Sequence, residues 1–235
     1  MGRTVGLPYH LGYPLLSCTL LAIAAFASAD SVWYVSVATE DTVVRPFTPT
    51  PTPTPSYIVR TMSDPSCTKK VRFASQNYCG YNVSNLEITG KLGCIFRGFQ
   101  WQIPTGYFGF TVPNDVNMNL GRVVVCNVVA FSLVLISGAH HAYTIRYSYR
   151  ASPAPNKDKL YSLAMLHFIS VTVCFAFTWI AFIAQAAVIG HSVSQSNSLI
   201  DEGGVAVYWG QSAFLVLAAA VVHTGWGYEA VRWRS

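Results

Sequence analysis

Charge is what this sequence has least of. Asp, Glu, Lys and Arg make up 11% of its 235 residues, where a soluble domain carries about 25%. None of the four occurs within residues 4–29, 123–145, 160–200 or 203–228. Each of those windows is longer than the roughly 20 apolar residues that cross a hydrocarbon core. These gaps exclude a soluble enzyme, a disordered chain and a small disulfide-stapled secreted domain. The net charge of +5 is not gathered into one basic face, so no nucleic-acid partner is expected. Catalytic signatures are missing too: there is no Gly-x-Ser-x-Gly elbow, His-Glu-x-x-His helix, phosphate-binding Gly loop or CxxC pair. The expectation is an integral membrane protein that is not an enzyme and needs no cofactor, with the lipid bilayer as its first partner.

The windows predict four membrane helices, near residues 11–29, 122–140, 160–189 and 204–226. Helices are expected because backbone groups in lipid must pair within their own segment, and because none of the four alternates polar and apolar residues as barrel strands do. The first segment has a second reading. Arg3, the apolar run 15–26 and the triplet Ala27, Ser28, Ala29 also fit a cleaved signal peptide. In favour of a retained helix, the apolar run begins at Leu11 and continues into Trp33 and Tyr34, which suit a membrane interface.

Lys and Arg in the short connections set the orientation. Arg146, Arg150, Lys157 and Lys159 lie between the second and third helices, and Arg232 and Arg234 follow the fourth. The segment 191–204 has two acids and no base. Both termini are therefore expected in the cytosol, with the long loop 39–121 outside and the chain multi-pass in the plasma membrane. The acceptor triplet Asn82, Val83, Ser84 lies in that loop and makes Asn82 a glycosylation candidate. Cys67, Cys79 and Cys94 lie there as well, where disulfides can form. A Cys79–Cys94 bridge closes a short loop and leaves Cys67 free or bound to a partner; a Cys67–Cys79 bridge is the alternative. The other three cysteines, Cys18, Cys126 and Cys174, fall one to a helix and read as small packing residues.

Within the loop, the Pro/Thr stretch 46–55 forbids helix and sheet and reads as a stiff spacer or an O-glycosylated stalk. The pieces SVWYVSV, SYIVRTM, KVRFAS, LGCIFRGF and QWQIPTGYFGF have the β-branched and aromatic content of short strands. Phe99, Trp101, Tyr107, Phe108 and Phe110 read as the core of that sheet, or as a lipid-resting surface. The fold class expected is an all-α membrane protein, a bundle of four transmembrane helices with a small antiparallel β-sheet in the long first extracellular loop.

Polar residues inside the helices are the remaining places for chemistry. Asn127, Gln185 and Gln211 could line a path, but amides more often join helices by hydrogen bonds worth about 1 kcal/mol. His140, His141, His167 and His223 all fall in the half of the helices expected toward the cytosol. Of these, His140, His167 and His223 are the candidates for a haem or metal ligand set; packing or proton-handling roles are the ordinary alternative.

Four helices, cytosolic termini, a long first outer loop with a cysteine pair and a short second one resemble the claudin-like tetraspan superfamily, which includes claudins, peripheral myelin proteins and amastins. Arg122 at the start of the second helix is similar to the basic residue found there in those proteins, and DEGGVAVYWGQSA (201–213) is similar to the acid, Gly and aromatic-Gly entry into their last helix. Where the claudin signature has Gly-Leu-Trp before its first cysteine, this chain has Gln76, Asn77 and Tyr78. The resemblance implies a surface protein for membrane organisation, adhesion or barrier assembly, acting on itself or on other membrane proteins. It also makes Cys79 and Cys94 candidates for the outer-loop pair. An auxiliary subunit of a channel, transporter or receptor is the alternative, and a haem- or metal-binding redox protein the third.

Overall fold

The computed structural model describes residues 7–39, 69–84, 87–99, 102–103, 107–108, 110, 112–150, 157–199 and 205–234. The Pro/Thr stretch 46–55, the strand expected over SYIVRTM, Cys67 and Trp101 lie outside them. The chain is mostly helical. Helix α1 spans Leu7–Phe26; a π-helical turn, Asp115–Leu120, runs through the short α2 (Gly121–Val123) into α3 (Val125–Arg150); α4 spans Lys157–Leu199 and α5 Gln211–Arg234. Three stretches are long and apolar enough to cross a membrane, Asp115–Ser148, Asp158–Ser196 and Gln211–Val231, and Leu11–Phe26 is a shorter apolar helix.

Two of the expected helices are longer than hydropathy indicated. The second, expected over 122–140, begins at the π-helical turn and continues to Arg150. The third, expected within 160–189, is a helix of 43 residues, about 64 Å at 1.5 Å per residue, or roughly twice a hydrocarbon core. Its polar end HSVSQSNSL stays helical partly because hydroxyls bond back along the chain. Ser192 donates to the Val188 carbonyl at 2.9 Å and Ser196 to that of Val193 at 2.9 Å.

The fourth segment differs in kind. Residues Val205–Trp209, expected as the start of a helix, form strand β5, and the helix begins only at Gln211. With β1 (Val35–Thr39), β2 (Lys70–Phe73), β3 (Asn77–Ser84) and β4 (Glu87–Phe96), it makes one sheet in the order β4-β3-β2-β1-β5. Every neighbouring pair is antiparallel. The strands over SVWYVSV, KVRFAS and LGCIFRGF lie close to where they were expected. Strand β3 was not expected, and the described residues of QWQIPTGYFGF form no strand.

The chain divides into two compact units. One contains Ala24–Val125 and Ile183–Phe214 and carries the sheet. Its core is Tyr34, Val35, Val37, Val71, Phe73, Tyr78 and Ile95, all essentially without solvent contact. Phe108 is buried there too. It meets Tyr78 edge-on at 5.8 Å and stacks on Phe110 at 5.6 Å, so this part of the aromatic run packs as core.

The other unit contains Met1–Ile23, Cys126–Phe182 and Leu215–Ser235, and in it four helices touch. The Ser17 hydroxyl of α1 lies 3.2 Å from the His223 ring of α5. Pro14 of α1 lies against Gly138 of α3, and Tyr13 against Gly225 of α5. Ser137 of α3 hydrogen-bonds Ser170 of α4 at 2.9 Å. Large apolar side chains remain exposed around this unit, among them Ile136 (67%) and Ile180 (57%), as on helices whose solvent is lipid.

Strand β5 passes into α5 at Gly210, where nothing larger fits. A Cβ there would overlap the Trp33 carbonyl and lie 2.5 Å from the indole Cδ1. The Gly210 N–H donates to the Tyr34 carbonyl at 2.8 Å, and the Ser212 N–H to that of Trp33 at 3.0 Å. Gly210→Ala is therefore expected to cost about 1–3 kcal/mol and to lower the melting temperature of the detergent-purified protein by several degrees. The comparison is Gly227→Ala, where a Cβ meets nothing within 4 Å, and which should leave melting unchanged or raise it slightly. Equal effects of the two substitutions would show that the Gly210 joint does not hold the strand.

Candidate functional site

Two clusters of polar and aromatic side chains stand out, one in each unit. In the sheet unit, Cys79 and Cys94 face each other across β3 and β4 and are joined by a disulfide, with their Cα atoms 4.1 Å apart. Cys79 is buried with Ala29, Ala74 and Tyr81. Asn82, the glycosylation candidate, is half-buried on β3 opposite Gly90.

Beside the disulfide lies a charged group. The Tyr81 hydroxyl donates to Asp30 at 2.9 Å and the Lys91 ammonium at 2.7 Å. These two bonds, Lys91 first, hold the Asp30 carboxyl below the usual carboxylate range. The Arg72 guanidinium sits over the Trp33 ring at 3.8 Å and the Tyr81 ring at 4.8 Å, an arrangement favourable to a cation against two π faces. Burial, and then the bond to Asp30, push the Tyr81 phenol up to about 12; burial does the same for Tyr78. Asp30 is the acceptor that ties the segment following α1 to β3 and β4.

The sheet has two outer strands. Strand β4 exposes Ile88 and Phe96 (63%), and β5 exposes Tyr208 (52%) and Trp209. Among the described residues, β4 and β5 are the end strands of the sheet.

The helical unit gathers the histidines. The rings of His141 on α3 and His167 on α4 stack 4.2 Å apart at 20°. His140 lies 6.4 Å from His167. Trp226 of α5 lies 5.8 Å from His167, 5.8 Å from His223 and 6.1 Å from His141. His223 donates from Nδ1 to the Ala219 carbonyl at 2.9 Å, leaving Nε2 to accept from Ser17 at 3.4 Å. His140, His167 and His223 thus do converge, but His141 is the ring that stacks, and Trp226 is the hub. Trp226 had one sequence signal, its position one turn after His223. Stacked rings turn their faces to each other and do not aim nitrogens at a common point, and among the described residues no group of three or more His, Cys, Asp or Glu is placed to hold a metal ion.

The three amides differ in burial. Asn127 is buried in the helical unit, Gln185 is buried in the sheet unit, and Gln211 is exposed at the start of α5. In comparisons with known proteins, no family model matches the chain and no curated protein matches it.

The phenols provide a test. A group whose value is raised on folding contributes stability that is whole below its ordinary value, here 10.0, and lost as pH rises through the folded one. Tyr78 and Tyr81 should therefore ionise well after an ordinary tyrosine, near pH 12, as followed by ultraviolet phenolate absorbance, with Tyr81→Phe removing one phenol from that late phase. Lys91 and Asp30 are each nearly half exposed, so Lys91→Ala should cost no more than about 1 kcal/mol. A larger loss, or an unchanged late phase in Tyr81→Phe, would show the group to be arranged otherwise.

Proposed function

We propose that the chain is a non-enzymatic tetraspan of claudin-like type. Its helices α1, α3, α4 and α5 cross the membrane as a bundle, and its sheet recognises copies of itself or neighbouring membrane proteins. The observation that carries this reading is the β1–β5 pairing, Val35 with Trp209 through Thr39 with Val205. Paired strands lie on one side of a membrane. Between β1 and β5 the chain runs through α3 and α4, and an even number of crossings returns it to the side it left. With α1 and α5 each adding one, both termini fall on the opposite side. Arg146 and Lys159, exposed at the α3 and α4 ends, assign that side to the cytosol.

The remaining features agree with an outer sheet. The disulfide requires an oxidising compartment, and Asn82 stands on the same sheet, open to glycosylation on the secretory route to the plasma membrane. The contacts of α1 with α3 and α5 support its retention as a helix. Exposed Ile88, Phe96, Tyr208 and Trp209 supply apolar contact at both sheet edges, where recognition by surface complementarity would act.

Extraction in mild detergent, with mass measurement and identification of what accompanies the chain, tests the proposal. Only copies of itself or other tetraspans are expected. A stoichiometric channel, transporter or receptor would make the chain an auxiliary subunit instead. Loss of the bridge that spans 15 residues should remove about 3 kcal/mol, so Cys79→Ser and Cys94→Ser should each abolish export or assembly; normal surface assembly of both would sink the proposal. Asn82→Gln should remove the glycosidase-sensitive mass shift.

A further inference from the structure

Four of the six histidines meet at one place in the helical unit, and nothing proposed for the sheet uses them. The His141 and His167 rings are buried and stacked at 4.2 Å, and Trp226, itself buried, lies within 6.1 Å of His141, His167 and His223. Together the rings bridge α3, α4 and α5, and Ser17 adds α1 through its contact with His223. Imidazole is the side chain whose charge changes near neutral pH, so a joint made of imidazoles senses protons.

We propose that His141 and His167, stacked beside Trp226, form a proton-binding joint that loosens the packing of α3, α4 and α5 on acidification. A first proton on the stacked pair places a cation against a neutral ring, which is tolerable. A second brings two like charges 4.2 Å apart in a buried site, where water screens them poorly. Separation of α3 from α4 relieves that repulsion. Half-buried His140 lies beside the pair.

Other titratable groups lie on each element packed around the joint. On α1 the neighbour is Tyr13, which abuts Gly225. Helix α3 adds exposed Tyr143 and Arg146, and α4 adds exposed Tyr161. Helix α5 adds exposed Tyr228 and half-buried Glu229, three residues after Trp226. Asp158 stands nine residues before His167 at the exposed start of α4. Glu229 is thus the single carboxylate within two turns among the described residues, against four imidazoles.

That the joint faces the cytosol rests on the proposed topology, but its response to protons does not, and the purified chain in detergent, which has no sides, tests that response alone. Imidazolium quenches indole fluorescence, so emission should fall between about pH 7.5 and about pH 5.5, with the change lost in Trp226→Phe. Melting temperature should fall by several degrees over the same range in the unaltered protein and stay level in His141→Phe/His167→Phe. The two remaining histidines are controlled by His10→Gln/His191→Gln, which should keep the full response. This control matters because His191 pairs with Asp115 in the sheet unit. If the joint variant does not fold, the Trp226→Phe difference spectrum and the single variants His141→Gln and His167→Gln, each of which should weaken the quench, decide alone. Equal pH dependence in the unaltered protein and in the joint variants would overturn the proposal.

Discussion

The close approach of Gly210 to Trp33 is the contact on which the sheet unit depends. It is possible only because position 210 lacks a Cβ. Its consequence is that a strand directly preceding α5 pairs with one that follows α1, far away in sequence. Strand β1 then has partners on both sides, β2 and β5, so the backbone groups of its central residues are satisfied while Val35 and Val37 are fully buried. Trp33 serves the joint twice. Its carbonyl accepts the Ser212 N–H, and its ring lies under Arg72, which carries the constraint from the β5–α5 corner to the next strand.

Polar groups are treated differently in the two units, and the solvent explains the difference. Around the sheet, where water reaches, charges are kept and paired: Asp30 takes Tyr81 and Lys91, and Arg72 lies on aromatic faces. Among the helices the described interior polar residues are neutral or titratable to neutral, namely serines, threonines, Asn127 and the histidines. Their hydroxyls largely bond to carbonyls one turn back, as Thr178 does to Cys174. A hydroxyl can satisfy itself within its own helix, whereas an imidazole has a second nitrogen to place: His223 bonds the Ala219 carbonyl one turn back and also meets Ser17 of α1.

Much of this was legible in the sequence. Charge-free windows located the helical segments because a run of apolar residues that long has few alternatives. Cysteine position and β-branched content indicated a sheet with a bridge in the long loop. What could not be read was the state of 205–209. VAVYW lies inside a charge-free window, and a short apolar run does not distinguish strand from helix; the unpaired edge of β1 decides, and that is a tertiary fact. Strand β3 was missed because NYCGYNVS is mostly polar or small, and its pairing with β2 and β4 comes from register. The helical end of α4 was missed because hydropathy measures apolarity and not helicity. The histidines were visible as a list of positions; that Trp226 stands among them required the helices to be packed.

The same contrast bears on where recognition would reside on the proposed reading. Helix faces toward lipid meet a solvent as apolar as their own Ile and Leu side chains, so burying them against another protein gains little hydrophobic free energy and discriminates poorly. Phe96, Ile88 and Tyr208 on the sheet stand on elements bounded by water-compatible residues such as Glu87, Lys91 and Thr89. In water, apolar area is worth about 25 cal/mol per Å² when removed from solvent. A membrane protein with a rigid outer sheet therefore gains more affinity and more selectivity per contact from that sheet than from its helices.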